Sequence, residues 1–208
     1  MTRLCLVATL ALLAVLVGPA FPAEEDLATN GSFAQGLEGW RIGQDATCAT
    51  SFVNVEAGPY KRALRLVLKP EAGRNPWDIN LNQAVDGVLK PGDRVQIKVW
   101  LRSPERCRLA AYLEIAKDPW TKSLSATAKL TPEWQEYTFD GKCLQGYNPD
   151  QANVGFHLGY DAGVLEMAGF RLLNLDAQPD AGGARATMDQ PVTLIRNGDF
   201  GDDLAGNW

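Results

Sequence analysis

Apolar and polar residues alternate with a period of two along much of the chain. Leu64, Leu66 and Leu68 are interleaved with Arg65, Val67 and Lys69. Val95, Ile97, Val99 and Leu101 alternate with Gln96, Lys98, Trp100 and Arg102, and Val154, Phe156 and Leu158 with Gly155, His157 and Gly159. Such runs predict half-buried strands. Further strands are expected over 47–55, 77–85, 108–116, 134–139 and 165–175. Turn signals stand between them at Ala57-Gly58-Pro59, Lys90-Pro91-Gly92-Asp93, Thr131-Pro132 and Asp140-Gly141. No stretch keeps a helical period with caps. The pattern predicts an all-β domain, a two-sheet antiparallel β-sandwich with jelly-roll topology; an immunoglobulin-like sandwich is the alternative.

The ends of the chain read differently. Arg3, the apolar run Leu4 to Val17 and the small residues Gly18 and Ala20 predict a secretory signal over 1–23, cleaved after Ala20 or Ala23. About 14 apolar residues fall short of the roughly 20 that span a bilayer. The module is expected over 24–175, followed by an Ala-, Gly-, Asp- and Pro-rich linker over 176–191. Asn30-Gly31-Ser32-Phe33, with Leu37 and Gly39-Trp40, recurs as Asn197-Gly198-Asp199-Phe200, with Leu204, Gly206 and Trp208. Fixed-order similarity at a long period signals a repeated module. Residues 192–208 are therefore expected to begin a second, truncated copy within a longer secreted or extracytoplasmic polypeptide.

Charge and cysteines narrow the function. The net charge is −5, with no run of Lys or Arg, which argues against nucleic acid and against an anionic membrane as partners. Export would leave Cys48, Cys107 and Cys143. Two readings stand: a Cys107–Cys143 bridge if their strands are antiparallel neighbours, or buried thiols. No spacing matches a zinc site, and a single His with no Gly-x-Ser-x-Gly elbow disfavours zinc-enzyme and serine-hydrolase chemistry.

Several motifs come in a familiar order: Asn30-Gly31-x-Phe33 with Gly39-Trp40, then Pro76-Trp77-Asp78, Lys90-Pro91-Gly92-Asp93, and Thr131-Pro132-Glu133-Trp134-Gln135-Glu136-Tyr137. Over Leu27 to Leu175 the chain resembles carbohydrate-binding modules of the family 4, 9 and 22 group. The resemblance implies a jelly roll that binds polysaccharide or oligosaccharide on a concave face, as a non-catalytic accessory to a glycoside hydrolase. The ligand itself is not implied, because one fold hosts many functions. Modules of this group often hold a structural calcium. Here Ala34 and Ala168-Gly169 stand where its acidic ligands are expected, so no metal and no other cofactor is expected.

Sugar rings offer apolar C–H faces rimmed by hydroxyls, and binding them takes aromatic platforms plus polar groups of fixed geometry. Alternation sets Asn80 and Asn82 on one side of their strand, Tyr112 and Glu114 on one side of theirs, and His157 away from the core. If the three strands share a sheet, these five line its outer face. An ordinary solvated sheet face is the competing reading. Trp77, at a strand start, faces either the ligand or the core, and Trp120, in the polar loop Asp118-Pro119-Trp120-Thr121, is a candidate platform. The candidate carbohydrate site is thus Trp77, Asn80, Asn82, Tyr112, Glu114, Trp120 and His157, with no catalytic residue. Trp40 and Trp134 are expected to be structural plugs. Glycoside hydrolysis needs two flanking carboxyl groups, for which Glu114 and Asp78 are the candidates. The alternative to a glycan-binding module is a structural or protein-interaction spacer.

Overall fold

The computed structural model describes residues 24–43, 48–55, 60–71 and 75–177. The expected export signal, the start of a second module and nearly all of the expected linker lie outside the described residues, as does the turn at Ala57-Gly58-Pro59. Among the described residues eleven strands follow one another: β1 (Glu25–Asp26), β2 (Trp40–Ile42), β3 (Cys48–Asn54), β4 (Arg62–Leu68), β5 (Asn80–Ala84), β6 (Arg94–Arg102), β7 (Arg108–Ile115), β8 (Lys122–Lys129), β9 (Gln135–Lys142), β10 (Ala152–His157) and β11 (Gly163–Asn174).

They form two antiparallel sheets, the jelly-roll sandwich that the alternation predicts. One sheet has the order β3-β4-β11-β6-β9, with β1 pairing the end of β11; the other has the order β2-β5-β10-β7-β8. Alternate residues of each strand fill the space between the sheets. Leu64, Leu66, Ile97, Val99 and Met167 come from the first sheet, and Leu81, Leu113, Val154 and Phe156 from the second. Each such side chain contributes about 1.5–3 kcal/mol on burial. The second sheet is hence fixed by its inner face, which leaves its outer residues free for other work.

The opening motif is a self-bonded loop. The Asn30 side chain donates to the carbonyls of Gly36 and Glu38 and accepts from the Gln35 amide, while Trp40 Nε1 donates to the Asn30 carbonyl. A Cβ on Gly31 would stand 1.9 Å from the Phe170 carbonyl oxygen, which requires glycine at that position. The Trp40 ring wedges between Phe33 and Phe170, at centroid distances of 5.3 and 5.0 Å. Trp40 is the expected plug.

Two expectations need correction, one strand was missed, and one open choice is settled. Trp77 does not open a strand: Pro76–Asp78 is a single 3-10 turn, with the Asp78 carboxylate accepting from the Asn75 amide, and β5 starts at Asn80. Strand β8 was not legible as a strand, because its inward positions past Leu124 are only Ala126 and Ala128. Cys107 and Cys143 are free thiols, since β7 and β9 lie in different sheets. Trp134 is a half-exposed ring with the Arg102 guanidinium 5.1 Å above it, rather than a buried plug.

Candidate functional site

Antiparallel register aligns outward side chains in rows across the five strands of the second sheet. One row runs Arg41, Asn82, Gly155, Tyr112, Ser125 through β2, β5, β10, β7 and β8. A neighbouring row runs Asn80, His157, Ala110, Thr127. These rows floor an open cleft of about 850 Å³. All seven residues singled out from the sequence line it: Trp77, Asn80, Asn82, Tyr112, Glu114, Trp120 and His157. Arg41, Lys122, Ser125, Thr127, Asn153 and Tyr160 also line it and were not singled out.

Exposure separates walls from floor. Trp77 is 55% exposed and Trp120 49% exposed, so both rings offer open faces. Tyr112 and Glu114 are 2% and 7% exposed. The sequence expectation of an exposed aromatic at Tyr112 is therefore corrected: its ring lies on the floor under His157, with centroids 4.4 Å apart and a 35° tilt. His157 in turn meets Trp77 edge-on at 6.4 Å. Since β5 and β7 run in the same direction, Trp77, ahead of β5, and Trp120, beyond β7, stand at opposite ends of the sheet. Those ends are on the order of 17 Å apart at the usual strand rise.

Hydrogen bonds fix the floor's amides. Asn80 Nδ2 donates to the Trp77 carbonyl, and Asn82 Nδ2 donates to Asn80 Oδ1 at 2.7 Å. Asn82 and Tyr112 flank Gly155 of β10 in one row, and a Cβ there would come within 2.1 Å of the Leu81 carbonyl and 2.8 Å of Asn82 Cβ. Glycine is thus required between the two polar groups. Burial, reinforced by the Glu114 charge, pushes the Tyr112 phenol well above its ordinary range, so it stays protonated. Burial and the Lys122 charge lower His157 to about 4, leaving a neutral imidazole at ordinary pH.

Lys122 pairs with Glu114 and stands 5.3 Å from the Tyr112 ring. Alternation alone points Lys122 into the core. The register shifts between Leu113 and Glu114, however: Leu113 faces Leu124 while Glu114 faces Lys122, so Ser123 is an extra residue in β8. Ser123 turns inward to bond the Tyr147 hydroxyl at 2.7 Å, and Lys122 swings onto the cleft face. Arg41 went unnoticed because its strand is only three residues long. Among the described residues, Glu114 is the one carboxylate lining the cleft, and Asp78, the other candidate acid, caps its own turn.

Relatives place this geometry in context. No curated protein matches the sequence. Among solved structures, a family 4 carbohydrate-binding module is 21% identical, aligning 69% of this chain with 97% of its own at a TM-score of 0.50. The CBM22-1 xylan-binding domain of Paenibacillus barcinonensis Xyn10C is 14% identical, over 76% of this chain and all of the other, at 0.53. The tandem CBM22-1–CBM22-2 domain of the same enzyme is 15% identical, over 77% of this chain and 49% of its own, at 0.54. At these identities the likenesses establish the fold. The family model for a carbohydrate binding domain, spanning groups 4 and 9, matches residues 25–163, and the chain belongs to that family of non-catalytic carbohydrate-binding domains.

Proposed function

We propose that this module binds a polysaccharide or oligosaccharide along the outer cleft of the second sheet and tethers a glycoside hydrolase, elsewhere in a secreted polypeptide, to its substrate. The observation that carries the reading is the pair of open tryptophans, Trp77 and Trp120, at opposite ends of a floor whose amides, phenol and imidazole are held by one another. Rings take the C–H faces of sugars, and fixed polar groups take their hydroxyls. Two or three platforms and a few hydrogen bonds, at about 1 kcal/mol each, give roughly −4 to −6 kcal/mol. That corresponds to a dissociation constant between about 1 mM and tens of micromolar. Weak single sites suit tandem modules, where linkage raises avidity by about 10²–10⁴.

Affinity electrophoresis against soluble glucans, xylans and galactans tests the proposal. Retardation by at least one polymer, weakened in Trp77→Ala and in Trp120→Ala, is the expected result. Unchanged mobility in every gel favours the spacer reading. We further propose that the module folds without calcium. Arg62 Nη1 donates to the Ala34 carbonyl at 3.2 Å, and Gly169 lies against the Tyr60 ring, so a cation and a phenol occupy the neighbourhood where carboxylates would be needed. A chelator should leave the melting temperature unchanged, and stabilisation by several degrees on adding Ca²⁺ would overturn this.

A further inference from the structure

The chain is acidic, with a net charge of −5, yet the outer face of the second sheet gathers cations. Arg41 and Lys122 line the cleft. Arg108 lies two residues before Ala110 on the same face of β7, with Lys129 opposite it on β8. A second hollow of about 780 Å³, lined by three cations (Arg106, Arg108, Lys129) and two acids (Glu105, Asp161), shares Tyr160 with the cleft. Two of these cations are compensated, Lys122 by Glu114 and Arg108 by Asp161 at 2.9 Å. Arg41 and Lys129 make no ion pair among the described residues, although the Lys129 charge reaches Asp161. No run of basic residues announces this patch, because its members lie far apart in the sequence and only the register assembles them.

Arg41 has the geometry of a receptor for an anion. Its Nη2 donates to Asn153 Oδ1 at 2.7 Å, reaching from β2 across β5 to β10. That bond uses one of five guanidinium N–H groups and holds the fork over the cleft, beside Asn82 in the same row. Such a fork matches a carboxylate or sulfate in bidentate fashion, whereas a neutral glycan offers it hydroxyl acceptors but no counter-charge.

We infer that the module's ligand is a glycan bearing anionic substituents, uronate carboxylates or sulfate esters, and that Arg41 reads one of them. The inference rests on the glycan-binding reading above and narrows its ligand class. Calorimetric titration of the full chain with two polymer pairs tests it: glucuronoxylan against its carboxyl-reduced form, and a sulfated galactan against its desulfated form. In at least one pair the charged polymer should bind about tenfold more tightly, and which pair responds tells carboxylate from sulfate. Arg41→Gln should erase that difference, bringing affinity for the charged member down to about that for the neutral one. Arg41→Lys, which keeps the charge without the fork, should retain part of it. About 0.5 M salt should narrow the gap, since screening then acts within a few ångströms. Equal affinity within both pairs, or an Arg41→Gln variant that weakens charged and neutral polymers alike, overturns the inference and leaves glycan binding standing. Heat from none of the four polymers overturns the inference, and the glycan-binding reading falls with it only if the gels with glucans, xylans and galactans also show no retardation.

Discussion

His157 shows how far one residue's environment can depart from what its sequence position suggests. Between Trp77 and Tyr112, with Lys122 adding its charge, the imidazole titrates near 4 instead of near 6.5. The folded state therefore takes up its proton later than the unfolded state as pH falls. Stability tied to this group is complete above about 6.5 and declines as pH drops toward 4. Urea titrations at pH 7 and pH 5 should show that decline, and His157→Gln should flatten it. Glycan affinity should be level from pH 5 to 8, because the imidazole facing the ligand is neutral throughout. Alternation was sufficient to set Asn80, Asn82, Tyr112, Glu114 and His157 on one face, since inner-face neighbours such as Leu81, Leu113 and Phe156 pin each strand's phase. It could not tell that Tyr112 lies beneath His157, because depth depends on neighbours from other strands.

At the scale of strands, two positions bear disproportionate weight. Gly155 in β10 sits where any Cβ would collide with the β5 backbone. Gly155→Ala should cost about 1–3 kcal/mol and displace Asn82, measured together as a lower urea midpoint and weaker glycan binding. Glu166 in β11 is 1% exposed and lies between Arg65 of β4 and Arg102 of β6, accepting from Arg102 Nε at 2.5 Å. Glu166→Ala would leave two guanidinium groups, each more than a third exposed, without their shared partner and should cost about 1–3 kcal/mol in chemical denaturation, with little change in glycan affinity because the triad belongs to the other sheet. Neither role was legible. Gly155 and Glu166 are ordinary members of alternating runs until the pairing partners are known, and β8 was missed because alanines give a faint hydrophobic period.

The whole molecule assigns different tasks to its surfaces. One sheet's outer face carries the Arg65–Glu166–Arg102 triad, the other carries the cleft, and the shared interior also shelters Cys107 and Cys143. Burial raises both thiols, Cys143 to about 11, so neither should be alkylated at pH 8 until the sandwich opens. Peptide mapping after iodoacetamide treatment, with and without urea, checks this, and a reductant should not shift the melting temperature. The fold class was readable from periodicity because β4, β5 and β6 bury alternate residues along their length. The site was readable in outline for the same reason.

Deleting Ser123 would straighten β8 without parting Lys122 from Glu114, since those two already stand opposite each other across the shift. The residue's own contribution is a hydroxyl turned inward, which bonds Tyr147 and accepts from the Leu144 amide. The bulge therefore rivets the margin of the groove to the segment around Tyr147, and its loss would loosen that seam while the charged pair stayed in place.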